Sequence, residues 1–166
     1  MSLRDGLLGE TAADALNACR AKGLTAVTVE SCTGGLICAA LTSVAGSSDV
    51  VYGGFVTYAN RAKTAMVGVD TALIEAHGAV SEEVARAMAE GGLKASGAAL
   101  AVAVTGIAGP GGAVADKPVG TVHIVAQSES GAVLHELHHF QGDRGAVQEQ
   151  TALTALQMLK DLAELA

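Results

Sequence analysis

Residues 100–105 constrain this chain more than any other stretch. Leu100, Ala101, Val102, Ala103 and Val104 offer nothing polar on either alternating face before Thr105. A strand of that kind is buried on both sides, which demands a sheet with helices above and below. Shorter β-branched runs at residues 25–29 and 50–58 read as two more strands. Residues 121–127 and 132–140 read as a hairpin, plausibly antiparallel, turning at Ser130 and Gly131. Between them run helical patterns. Leu7, Leu8, Ala12, Ala15, Leu16 and Cys19 recur at near-helical spacing and stop at Gly23. A second helix is expected over residues 34–44. Asn60 and Asp70 are expected to cap two short helices. Ser81, with Glu82 and Glu83, opens a longer helix that ends near Gly97, and residues 146–165 form the last. Strands alternating with helices predict one domain over residues 1–166, a three-layer α/β/α sandwich. Its sheet should be five-stranded and mixed, mostly parallel.

Bulk properties narrow the function. Half of the 166 residues are hydrophobic, enough for a sizeable core. The formal charge of −7 argues against nucleic acid or anionic membrane as a partner, so an anionic substrate must be held by a local site. Cys19, Cys32 and Cys38 are an odd, dispersed set, which points to a reducing, cytoplasmic setting and away from a disulfide framework. Apolar runs break well before the ~18 residues of a membrane span. The first ten residues, with Arg4, Asp5 and Glu10, lack the core of a signal peptide.

Ser31 follows a strand and precedes a helix, inside Glu30-Ser31-Cys32-Thr33-Gly34-Gly35. The carboxyl end of a strand is where open α/β sheets place their sites, and free amides at a helix start favour an anion. The same spacing also describes a plain N-cap serine in a tight turn. Val29 and Thr33 stand where a nucleophile elbow has glycines, and Gly34 stands where a Ser-x-x-Lys motif has its lysine. A lysine base must therefore come from elsewhere. Lys63, in Tyr58-Ala59-Asn60-Arg61-Ala62-Lys63, follows the second strand. Burial or the neighbouring Arg61 would lower its pKa toward neutrality; otherwise it is an exposed helix lysine.

The loop Thr105-Gly106-Ile107-Ala108-Gly109-Pro110-Gly111-Gly112 can present amides to a phosphate or an oxyanion, or simply connect two strands. It lacks the Lys-Ser/Thr pair of a nucleoside-triphosphate loop. His135-Glu136-Leu137-His138-His139 spells a zinc-protease pattern, but that chemistry needs a helix, and the flanking residues suit a strand. No metal is expected. Cys32 reads as a small buried residue rather than a nucleophile. Arg144 fits either a phosphate or a carboxylate partner. Ser47 and Ser48, after Gly46, fit an anion site less well than a turn.

Taken together, these segments resemble the CinA C-terminal domain family, which includes stand-alone nicotinamide-nucleotide amidases. The matching stretches are Glu30-Ser31 with Thr33-Gly34-Gly35, Gly46-Ser47-Ser48, Tyr58, Asn60 and Lys63, and Gly78-Ala79-Val80-Ser81. They continue through residues 105–112, Lys117-Pro118-Val119-Gly120-Thr121-Val122 and Gly142-Asp143-Arg144. The resemblance implies deamidation of nicotinamide mononucleotide without a cofactor, with Ser31 as nucleophile, Lys63 as base, and Tyr58 and Thr105 supporting them. The substrate contacts it suggests are Glu30, Thr33, Gly34, Gly35, Gly46, Ser47, Ser48, Asn60, Gly106, Ala108, Gly109, Gly111, Gly112 and Arg144. Gln148 departs from the pattern, standing where relatives commonly carry Arg. The extra N-terminal domain of full-length members is not part of the match. A homo-oligomer, specifically a dimer, is expected. The alternative from another class is a nucleotide-binding module of the same fold without turnover.

Overall fold

The computed structural model describes residues 2–3 and 5–166; Met1 and Arg4, the latter counted above among the N-terminal charges, lie outside them. In chain order come α1 (Gly6–Ala21), β1 (Ala26–Glu30), α2 (Leu36–Thr42), a 3₁₀ turn (Ser47–Asp49) and β2 (Val51–Val56). They are followed by α3 (Asn60–Val67), α4 (Thr71–His77), α5 (Glu82–Ser96), β3 (Leu100–Gly106), β4 (Thr121–Ser128), β5 (Val133–His139) and α6 (Arg144–Leu165).

The sheet order is β2-β1-β3-β4-β5. β2, β1 and β3 are mutually parallel, and β4 pairs antiparallel with both β3 and β5. The strand parity sorts the core into two faces. Ala26, Leu100, Val102, Val104, Val122, Ile124 and Ala126 pack with α1, α2 and α6. Val27, Val29, Ala101, Ala103 and Val125 pack with Val67, Ile74 and the apolar face of α5. The expected three-layer α/β/α sandwich with a mixed five-stranded sheet is thus the observed architecture. Each fully buried leucine, such as Leu16, Leu156 or Leu159, contributes about 1.5–3 kcal/mol to holding the layers together.

Local chemistry explains most boundaries. The Ser81 hydroxyl accepts from the Val84 amide and opens α5, which stops at left-handed Gly97. The Asp70 carboxylate caps α4 through the Ala72 amide. Asn60 does not cap α3 as expected: Ala59 holds that position, without a side-chain bond, and Asn60 is the first helical residue. Glu30, expected in a turn, is the last residue of β1, and α2 begins only at Leu36 because Gly34 and Gly35 take positive φ. The histidine run lies on β5. Four strand residues span about 13 Å, so His135 and His139 are too far apart to share one metal ion. Among the described residues no group of three metal-binding side chains converges, and no helix is long and apolar enough to cross a membrane.

Candidate active site

Register decides what meets at the sheet edge. Glu30 is level with Val56 on one side and Val104 on the other. The next residue of each strand, Ser31, Thr57 and Thr105, therefore emerges side by side. The Ser31 amide donates to the Val104 carbonyl at 3.1 Å, and the Thr57 amide donates to the Glu30 carbonyl at 2.8 Å. The chain leaving β2 enters α3, which brings Lys63 back under the same edge.

Among the described residues Lys63 is the largest fully buried side chain, 1% exposed. Its Nζ donates to Ser31 Oγ at 3.1 Å and to the Thr57 carbonyl at 2.9 Å. Burial disfavours its ammonium form and pulls its pKa below the ordinary lysine value. Arg61 does not act on it as expected: that side chain is exposed, and the cause is desolvation. Cys32 is 5% exposed, and burial pushes its thiol up to about 12. It therefore remains a thiol at neutral pH, a poor rival to Ser31.

A cavity of about 260 Å³ opens above this pair. Of the residues singled out in the sequence, Ser31, Tyr58, Asn60, Lys63, Thr105, Gly106, Ala108, Gly109, Gly111, Gly112 and Arg144 line it. Cys32, Ala79, Val80 and Ile107 line it too, though the sequence reading gave them no contact with substrate. Thr105 reaches away from the pair: its hydroxyl donates to the Ala79 carbonyl at 2.8 Å and so fixes one wall. Tyr58 does not touch the pair either; its hydroxyl accepts from Arg144 at 2.6 Å, while Arg144 also donates to the Gly109 carbonyl at 2.9 Å. Gln148 donates to the Cys32 carbonyl at 3.0 Å, a neutral contact that steadies the Ser31 turn.

Other expected contacts lie elsewhere. Gly46, Ser47 and Ser48 precede β2, whose first residue Val51 pairs with Ala26 at the start of β1. They sit at the opposite edge of the sheet from Ser31. Glu30 directs its carboxylate to the α2 face, where it accepts from Thr33 Oγ1 at 2.7 Å and from the Ile37 amide at 2.8 Å. Neither Glu30, Thr33, Gly34 nor Gly35 lines the cavity. Thr57 was missed entirely. It contributes a backbone carbonyl, and no side-chain pattern reports such a role.

The amides at this edge divide into engaged and unengaged. Those of Ser31 and Ile107 are tied to Val104 and Thr121 carbonyls. Among the described residues, no protein acceptor meets the amides of Ala108, Gly109, Gly111 or Gly112, and that of Cys32 meets only its own thiol. Backbone donors left open around a cavity are suited to an oxyanion or a phosphate.

Residues 9–163 match the CinA C-terminal domain family. The chain belongs to that family. It is 52% identical over 141 residues to a CinA-like protein of Geobacter sulfurreducens, covering 85% of this chain and 34% of that protein. The chain thus spans about a third of the length of such relatives. It is 51% identical over 140 residues to the nicotinamide-nucleotide amidohydrolase PncC of Enterobacter agglomerans, covering 84% of this chain and 85% of that one. Its fold superposes on the crystal structure of competence/damage inducible protein CihA from Agrobacterium tumefaciens with a TM-score of 0.94. The two are 49% identical, with 98% of this chain and 99% of that chain covered.

Proposed function

We propose that this chain is a nicotinamide-nucleotide amidase that converts nicotinamide mononucleotide to nicotinate mononucleotide and ammonia by a Ser31–Lys63 acyl-enzyme route. The observation that carries the reading is the 3.1 Å contact between Ser31 Oγ and a lysine amine that is 1% exposed. A surface lysine stays protonated and cannot take a proton from serine; a desolvated one can.

In this reading neutral Lys63 accepts the Ser31 proton as Oγ attacks the carboxamide carbon. The Cys32 amide, next after the nucleophile and free of any backbone acceptor, donates to the oxyanion. The C–N bond then breaks, the Lys63 ammonium protonates the departing nitrogen, and ammonia leaves an ester on Ser31. Water enters, gives a proton to Lys63 and attacks the ester carbon; the bond to Oγ breaks, Lys63 returns the proton to Ser31, and the carboxylate leaves. The amides of residues 108–112 and the Arg144 guanidinium hold the substrate phosphate. The amidase needs no metal or cofactor, acts in the cytoplasm, and assembles as a homo-oligomer, in our reading a dimer.

Ammonia release from nicotinamide mononucleotide by the purified chain tests the proposal, beside Ser31→Ala checked for native circular dichroism. Turnover by the wild type and none by the folded variant is the expected outcome. Binding without turnover by the wild type would leave a nucleotide-binding module in its place.

A further inference from the structure

We propose that Glu30 is a positioning residue that sets the geometry of both reacting groups without touching substrate. The inference rests on the Ser31–Lys63 reading. Glu30 is fully buried. Its Oε1 accepts from Thr33 Oγ1 at 2.7 Å and the Ile37 amide at 2.8 Å. Its Oε2 accepts from the Cys38 amide at 3.0 Å and Thr28 Oγ1 at 3.2 Å. Four donors thus converge on two oxygens, and among the described residues no cation pairs with them. A short helix is capped adequately by a surface hydroxyl, and burying a carboxylate without a counter-ion is costly even when it is hydrogen-bonded. The arrangement calls for a role beyond capping.

The bonds show what that role is. The side chain clamps Thr33 and the start of α2, so the turn of residues 31–35 is held at both ends: by the Ser31 amide on Val104 and by Thr33 on Glu30. That turn carries the nucleophile and the Cys32 amide, which has no backbone acceptor. The main-chain carbonyl of the same residue accepts from the Thr57 amide at 2.8 Å, and the Thr57 carbonyl in turn accepts from Lys63 Nζ at 2.9 Å. Nucleophile, oxyanion donor and base are thereby referenced to one residue. Glu30→Gln keeps the volume but turns an NH2 group toward two donors. Thr33→Val removes one clamp bond at almost constant shape.

The readout that does not depend on the substrate is phosphonylation of Ser31 by an alkyl fluorophosphonate: Oγ bonds to phosphorus, fluoride leaves, and the proton passes to Lys63. Its rate is measured across pH at a temperature where circular dichroism shows each variant folded. Both variants should label at least about tenfold more slowly, since a misplacement near 1 Å costs up to about 10²-fold. The pH midpoint, which belongs to Lys63, should stay where the wild type has it. Labelling within twofold of wild type in a folded variant overturns the proposal, as does failure of the wild type to label. If Glu30→Gln does not fold, Thr33→Val decides alone. Wild-type ammonia release from nicotinamide mononucleotide is measured in parallel. Its absence would overturn the substrate reading while the labelling rates still judge Glu30.

Discussion

Gly91 lies in the middle of α5, where helix propensity alone says that alanine should be better by about 1 kcal/mol. The packing says the reverse. A Cβ built at Gly91 would stand 1.8 Å from the Val67 carbonyl oxygen, a backbone atom at the end of α3 that no rotamer change can move. An ordinary carbon–oxygen approach is about 3.3 Å, so α3 must retreat by about 1.5 Å. Overpacking of this severity lies at the top of the usual range of about 1–3 kcal/mol. After the propensity gain, Gly91→Ala should cost about 2 kcal/mol, a fall in Tm of about 4–8 °C for a chain this long. Lys63 sits one helical turn before Val67 on the same face, so the displacement reaches the 3.1 Å contact with Ser31. Turnover should drop about 10²-fold at temperatures where the variant is folded. Thermal unfolding followed by circular dichroism and ammonia release are the assays. Gly145→Ala is the control: its Cβ would meet only Asp143 Oδ1, at an ordinary 3.6 Å. A Gly91→Ala protein as stable as the control and with wild-type turnover would refute the reasoning.

The rate should rise with pH through the Lys63 pKa, below the ordinary 10.5, because only the neutral amine is a base, and Lys63→Arg should not restore a Lys63→Ala enzyme; a flat pH–rate profile contradicts this. The same shift has a stability consequence. The unfolded chain binds the Lys63 proton more tightly than the folded one, so wild-type stability should climb as pH rises from the folded pKa toward 10.5. Lys63→Met should lose that climb, which denaturant midpoints at several pH values will reveal. Arg144→Ala should raise KM for nicotinamide mononucleotide by about tenfold or more, as expected for one charge-assisted bond, and leave the poor turnover of free nicotinamide unchanged; equal effects on both substrates would remove Arg144 from the phosphate site. Chelator should leave turnover intact, since the histidine run lies on a strand; loss restored by zinc would reverse that.

Much of the fold was legible because local signals and global packing agree. The apolar run before Thr105 is the central buried strand, and the Ser81 and Gly97 signals bound α5. Where packing had to be known, the reading failed. The resemblance suggested substrate contacts for Ser47 and Ser48, but the strand register puts them at the far end of the strands from Ser31, where the turn reading fits. Only the pairing of β1 with β2 carries that information. Glu30 was recoverable in part: on a strand it shares the face of Ala26 and Thr28, which points it at α2 and away from the cavity. Lys63 was ambiguous between surface and site, because a single lysine in a short helix has no periodicity of its own. The Thr57 carbonyl left no trace at all, since every residue type has one.

Depressing the Lys63 pKa does more than supply a base. The chain is acidic overall, at −7, so its field does not gather an anionic substrate, and orientation inside the cavity rests on local charge. On the proposed substrate, a fully charged ammonium beside Ser31 would compete with Arg144 for the phosphate and draw the nucleotide in backwards, its carboxamide facing solvent. Desolvation weakens that competitor at the reacting end, while the exposed Arg144 guanidinium lines the same cavity from the start of α6. The sheet makes this asymmetry structural. β1 runs on into α2 on one face, while β2 runs on into α3 and α5 on the other before the chain returns in β3. The crevice between the ends of β1 and β3 is therefore the place where connections part to opposite sides. Ser31 and Thr105 flank it, Lys63 rises into it from the α5 side, and Arg144 approaches at the start of α6 from the other layer. One layer holds the buried amine and the other the open cation, and the two face the same cavity from opposite layers of the sandwich.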